Sequence, residues 1–173
     1  SAESNQASAY FGYSVASAGD VNGDGFGDVV VGVPTYSNGE TNEGRAFVYL
    51  GSGSGLGASP AWSAESNQVG AQFGNSMASA GDVNGDGFGD VIAGASLFDN
   101  GQGGEGRAFV YLGSASGLGA SPAWSAESDQ ASSWFGRSVA SAGDVNGDGF
   151  GDVVVGAIYF DNGETNEGRA FVY

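Results

Sequence analysis

Short apolar runs alternate with glycine-rich and polar punctuation along this chain, and no stretch repeats its apolar residues every 3.6 positions. After its leading Asp, Asp28–Val33 is an unbroken apolar run, the pattern of a strand buried on both faces. Arg45–Leu50 holds Ala46, Phe47, Val48 and Tyr49, a dense β-forming segment. Tyr13–Ala18 consists mostly of small residues around Val15, and Ala61–Asn67 carries Trp62. The intervening Thr35–Gly44 contains the turn signal Asn38-Gly39, and Gly51–Pro60 is a Gly/Ser turn region. The spacing therefore predicts four short strands, A to D, with D outermost.

The whole pattern then recurs with a period of 62 residues. The units are 1–62, 63–124 and 125–173, and the third lacks an outer strand. One four-stranded sheet cannot cover both its faces, but sheets stacked about an axis can. The expected fold is all-β: four-stranded antiparallel blades of a β-propeller, nearly three per chain. The small residues of strand A (Ser14, Ala16, Ser17, Ala18, Gly19) suit the crowded position nearest the axis.

Between strands A and B the three units are identical for nine residues, Asp-Val-Asn-Gly-Asp-Gly-Phe-Gly-Asp. The candidate ligands are Asp20, Asn22, Asp24 and Asp28 by side chain and Phe26 by its carbonyl. The matching sets are Asp82, Asn84, Asp86, Phe88, Asp90 and Asp144, Asn146, Asp148, Phe150, Asp152. An oxygen-only set without His or Cys favours Ca²⁺ or Mg²⁺ over zinc or copper, and Ca²⁺ accepts an irregular shell more readily. Without a cation, two carboxylates about 5 Å apart repel by roughly 3 kcal/mol at an effective dielectric of about 20. A plain Asp/Asn/Gly turn explains the loop less well, because three identical copies preserve a ligand pattern. The loop is not an EF-hand: Val31, Ala93 and Val155 stand where a bidentate Glu is required, and strands rather than helices follow. Nor does a 62-residue period suit a nine-residue β-roll repeat.

Composition narrows the function. The net charge is −16, from 20 acidic and four basic residues. Such a chain should repel nucleic acid and anionic membrane surfaces. It has no Cys and no His, which removes disulfides, thiol catalysis and the usual zinc ligands. No apolar run approaches the roughly 20 residues of a membrane-spanning helix, so membrane insertion is not expected.

Phe11-Gly12, the Asp loop and Gly32-Val33-Pro34 occur in fixed order in unit 1. Phe73-Gly74 with Gly94-Ala95-Ser96, and Phe135-Gly136 with Gly156-Ala157-Ile158, repeat the order without the Pro. This arrangement resembles the FG-GAP repeat of integrin α propellers and of many bacterial surface proteins. The resemblance implies one blade per repeat, Ca²⁺ in the A–B loop and a ligand-binding face. It also implies a bacterial member of the family, or an engineered fragment of one. Integrin propellers have seven blades, so just under three leave a ring to be completed. Two chains would give six blades, with Ser1–Gln6 completing the partner's last blade.

Differences between units gather elsewhere. Tyr10, Gln72 and Trp134 share one phase; Tyr13, Asn75 and Arg137 share another; the B–C loops differ at Tyr36, Phe98 and Phe160. An up-and-down blade places these positions on the face opposite the cation loops. Tyr10, Tyr13, Tyr36, Asn75, Phe98, Trp134, Arg137 and Phe160 form a candidate ligand face, with drift in exposed loops as the competing explanation. Arg45, Arg107 and Arg169 suit structural ion pairs with Glu43, Glu105 and Glu167 or with a neighbouring blade. Trp62 and Trp124 suit packing between blades.

The function expected is a non-enzymatic module for extracellular adhesion or recognition, secreted or at a cell surface, with about three structural Ca²⁺ per chain. Its partners are a second copy of itself and an unknown protein or glycan ligand. A carbohydrate-binding propeller is the alternative. A hydrolase is disfavoured, although FG-GAP-like propellers also accompany a phospholipase, because no acid–base or nucleophile constellation is present.

Overall fold

A computed structural model describes residues 1–173 and contains eleven strands and no helix. Blade 1 comprises β1 (Ser14–Gly19), β2 (Asp28–Val33), β3 (Arg45–Tyr49) and β4 (Trp62–Glu65). Blade 2 comprises β5 (Ser76–Gly81), β6 (Asp90–Ala95), β7 (Arg107–Tyr111) and β8 (Trp124–Glu127). Blade 3 has β9 (Phe135–Gly143), β10 (Asp152–Ala157) and β11 (Arg169–Val172). Each sheet is antiparallel with neighbouring strands consecutive in sequence, the up-and-down order of a propeller blade. In blades 1 and 2 a register shift interrupts the pairing between the first two strands, at Ser17/Gly19 and Ser79/Gly81, where the chain enters its Asp loop.

Alternation along the second strand divides its side chains between two neighbours. Val30 of β2 joins Ala46 and Val48 against Phe73, Val91, Ala93 and Ala95 of blade 2. Ile92 of β6 faces the other way, with Ala108 and Val110, against Phe135, Val153, Val155 and Ala157 of blade 3. The core is thus a pair of seams between sheets, built from one strand period. Near the axis the first strands touch directly: Ser14 Oγ accepts the Met77 N–H at 3.0 Å, and Ser76 Oγ accepts the Val139 N–H at 2.9 Å. At the rim, Trp62 packs edge-on against Tyr111 with centroids 4.9 Å apart, and its Nε1 donates to Gly119 O at 2.9 Å. Trp124 meets Tyr173 in the same way.

The arginines pair differently from the expectation. Arg45 lies 3.7 Å from Glu65 and Arg107 lies 3.9 Å from Glu127, partners directly opposite in the sheet register. Glu43 and Glu105 are instead buried, each accepting a backbone N–H of its own B–C loop. Arg169 has no carboxylate partner and lies over Phe160 and Phe171.

Candidate metal centres and the opposite face

Each Asp loop is wound around its own first carboxylate. Asp20 Oδ1 accepts the N–H groups of Gly23 (2.7 Å) and Asp24 (3.1 Å), and Oδ2 accepts that of Gly25 (2.8 Å). Asp24 Oδ1 accepts the Phe26 N–H. The same bonds recur around Asp82 and Asp144. Left-handed backbone at Gly23 and Gly25 lets the chain turn this tightly.

The ninth residue has a different task. Asp28 is buried; its Oδ2 accepts the Val21 N–H and its Oδ1 the Gly51 N–H, both at 2.8 Å. It therefore ties the loop to the end of the third strand. Asp90 does the same with Val83 and Gly113. Burial pushes the Asp90 carboxyl above the usual carboxylate range. Its backbone donors pull the other way, while the charges of Asp86 and Asp82 add to the rise.

The donor chemistry fits a hard cation: three carboxylates and an amide oxygen share one short loop, and no basic side chain neutralises them. Oxygens that accept a single backbone bond, such as Asp20 Oδ2 and Asp24 Oδ1, retain a second lone pair, so the backbone bonds do not exclude ligation.

The loops are also linked in series. The Gly89 N–H donates to Asp20 O at 2.8 Å, and that of Gly151 to Asp82 O at 2.7 Å. A Cβ on Gly23 would lie 2.6 Å from the Phe88 ring, and one on Gly85 would lie 2.8 Å from the Phe150 ring. The loop Phe thus covers the preceding blade's loop. Sequence reasoning assigned Phe26, Phe88 and Phe150 only a carbonyl and missed this contact, which no single loop reveals.

At the other end, the B–C loops meet the connections between blades: the Gly70 N–H donates to Thr41 O and that of Ser132 to Gly103 O. Tyr10 and Tyr13 are well exposed, and Arg137 reaches the Tyr13 hydroxyl at 3.4 Å. Trp134 stacks edge-on against Tyr159. Tyr10 and Trp134 both have left-handed backbone, uncommon for bulky side chains. Asn75 departs from the expected face. It is 5% exposed, donates to Gly136 O and Arg137 O, and accepts the Ser96 N–H, so it fastens blade 2 to blade 3. Tyr36, Phe98 and Phe160 are half-buried, Tyr36 on the outer face of blade 1 and the other two at the seams, with Arg45, Arg107 and Arg169 above them.

The FG-GAP repeat pattern matches residues 11–49, 73–111 and 135–173, more than half of the chain. The chain belongs to the FG-GAP repeat family. It is similar to integrin alpha-5 of Xenopus laevis, 34% identical over 97% of this chain and 16% of that protein. Integrin alpha-IIb of Mus musculus is 34% identical over 88% of this chain and 15% of the relative. Integrin alpha-7 of Homo sapiens is 38% identical over 86% and 12%. The chain spans about a sixth or less of these relatives' length. They are animal proteins and lend no support to a bacterial source.

The geometry explains why the FG-GAP pattern has glycine at its two ends: Gly74 has left-handed backbone, and a Cβ on it would lie 2.8 Å from Arg45 O. A Cβ on Gly32 would lie 2.0 Å from Gly74 O, and one on Gly94 would lie 2.0 Å from Gly136 O. The glycine closing strand B of one blade receives the Phe-Gly carbonyl of the next. The Phe73 N–H meanwhile donates to Glu43 O at 2.9 Å, and that of Phe135 to Glu105 O at 3.1 Å.

Proposed function

We propose that this chain is a Ca²⁺-binding FG-GAP propeller part for extracellular adhesion or recognition, in which Ca²⁺ is structural and the activity is non-enzymatic. The observation that carries the reading is the ninth-position Asp, buried and bonded to two backbone segments beside an acidic loop. A cation there fastens the loop to the blade and removes the mutual repulsion of the carboxylates. The protein acts outside the cell, secreted or at a surface, because such sites of the weak extracellular class (Kd roughly 10⁻⁴–10⁻³ M) stay empty at cytosolic Ca²⁺.

Calorimetric titration of chelator-treated protein with Ca²⁺ tests this. About three sites per chain are expected from the Asp loops, and absence of heat together with an unchanged melting curve would overturn it. At about 10 mM Ca²⁺ and a Kd of about 10⁻³ M, linkage contributes ~1.4 kcal/mol per site.

We further propose that isolated chains join head to tail. Gly156 occupies the phase of Gly32 and Gly94 but has no neighbouring-blade backbone against it. Arg169 lacks the carboxylate that Arg45 and Arg107 have, and Glu3 lies in the phase of Glu65 and Glu127. A second copy's blade 1 supplies both, and two copies make six blades if the rotation closes. Glycan binding is a second reading, favoured by the exposed Tyr10 and Tyr13 rings beside Arg137. A glycan array without hits in Ca²⁺ buffer would remove it.

A further inference from the structure

Away from the Asp loops, a second group of carboxylates converges at the other end of blade 2. Glu105 precedes β7, Glu127 ends β8 and Asp129 follows it; their carboxylate oxygens lie within 4.8 Å of one another. Glu105 is fully buried. Its Oε1 accepts the Asn100 N–H, while Oε2 is buried without any hydrogen-bond donor. Glu127 Oε1 accepts from Asn100 Nδ2 at 2.8 Å, and its Oε2 is also buried without a hydrogen bond, with Arg107 Nε 3.9 Å away. Asp129 forms the exposed rim. The Arg107 guanidinium approaches only Glu127 among the three carboxylates, so the cluster remains anionic.

A buried carboxylate oxygen with no donor is costly, and a cation is one partner that satisfies it. Oxygens that share one Ca²⁺ ion, each at about 2.4 Å, stand at most about 4.8 Å apart, a limit the cluster meets. We infer that Glu105, Glu127 and Asp129 form an additional hard-cation site, independent of the three Asp loops. Oxygen-only ligands suit Ca²⁺ or Mg²⁺, and Ca²⁺ accepts an irregular carboxylate set more readily.

Blade 1 supplies an internal control. There Glu43 is buried with an unpartnered Oε2 and Glu65 accepts from Asn38 Nδ2, but Asn67 stands in the phase of Asp129. Lower ligand charge weakens a Ca²⁺ site, so the blade 2 cluster binds and its blade 1 counterpart binds at least tenfold more weakly.

The test is Ca²⁺ titration of the full chain followed by amide NMR, reading Asn100 for blade 2, Asn38 for blade 1, and Gly85 and Gly87 for the Asp loop. Asp129→Asn reproduces the residue that unit 1 already carries, so it avoids disturbing the buried Glu105. In wild-type protein the Asn100 amide should shift saturably and at lower Ca²⁺ than Asn38. Asp129→Asn should weaken the Asn100 response at least tenfold and leave Gly85 and Gly87 unaffected. Asn67→Asp should bring the Asn38 response into the same range. A silent Asn100 amide in wild type, or an unchanged response in Asp129→Asn, would overturn the site. Silence at Gly85 and Gly87 alone would instead count against the loop reading.

Discussion

Tyr49, Tyr111 and Tyr173 share one phase of the repeat but meet different surroundings. Tyr111 is enclosed between blades 1 and 2, against Trp62 and Phe73, and burial pushes its hydroxyl up to about 12 from an ordinary 10.0. A phenol whose folded pKa is raised contributes stability below pH 10 that is lost as pH rises from 10 through about 12. The loss is about 3 kcal/mol once the group is ionised in both states. Tyr111→Phe should therefore move the alkaline unfolding midpoint upward in a circular-dichroism pH titration, and no shift would mean that the seam opens before Tyr111 ionises. The Asp loop divides in a similar way. Asp90→Ala orphans the Val83 and Gly113 N–H groups and should lose about 2–4 kcal/mol even in chelator. Asp86→Ala, in the exposed loop, should cost under about 1 kcal/mol in chelator but remove that loop's Ca²⁺-dependent stabilisation in denaturant melts. Equal losses for the two variants would erase the distinction between clamp and ligand. The ligand pattern was legible in the sequence because it is local. The burial of Asn75 was not, since its partners Gly136 and Arg137 lie 61 and 62 positions away.

Among the elements, strands B and C were the clearest in sequence because their apolar runs are long. Observed β2 covers the expected Asp28–Val33, and β3 ends at Tyr49, one residue before the expected Leu50. The outer strand is shorter, Trp62–Glu65 rather than Ala61–Asn67, because Ser66 turns away: its hydroxyl donates to Glu43 O. What joins the blades is the fit of one backbone against another at Gly32 and Gly94, where side chains are absent by requirement. Gly94→Ala places a methyl group 2.0 Å from the Gly136 carbonyl oxygen, a fixed backbone atom. The blade 2–3 seam should open at a cost of at least about 3 kcal/mol in urea unfolding. A change below 1 kcal/mol would show that the seam shifts freely to accept it.

For the whole molecule, the two outer faces are the unfinished part. Val172 is 56% exposed on blade 3, while Val48 and Val110, its counterparts in phase, are buried in the seams. Gly156→Ala meets only the movable Ser138 hydroxyl within the chain. It should leave the melting temperature of a lone chain within about 2 °C yet abolish head-to-tail association in light scattering. Association that survives the substitution would place the joint elsewhere. Loss of Ca²⁺ from the three Asp loops alone should lower the melting temperature of wild type by roughly 10 °C in chelator, from about 4 kcal/mol. The sequence by itself determined the strands, the repeat and the chemistry of the Asp loops, because each is written in residues within a few positions of one another. The tertiary structure alone decided which glycine meets which carbonyl, that the loop Phe covers the preceding loop, and that Glu105, Glu127 and Asp129 converge. The first two depend on how one sheet is set against the next, and the third on the register in which β7 and β8 pair, which short-range sequence does not fix.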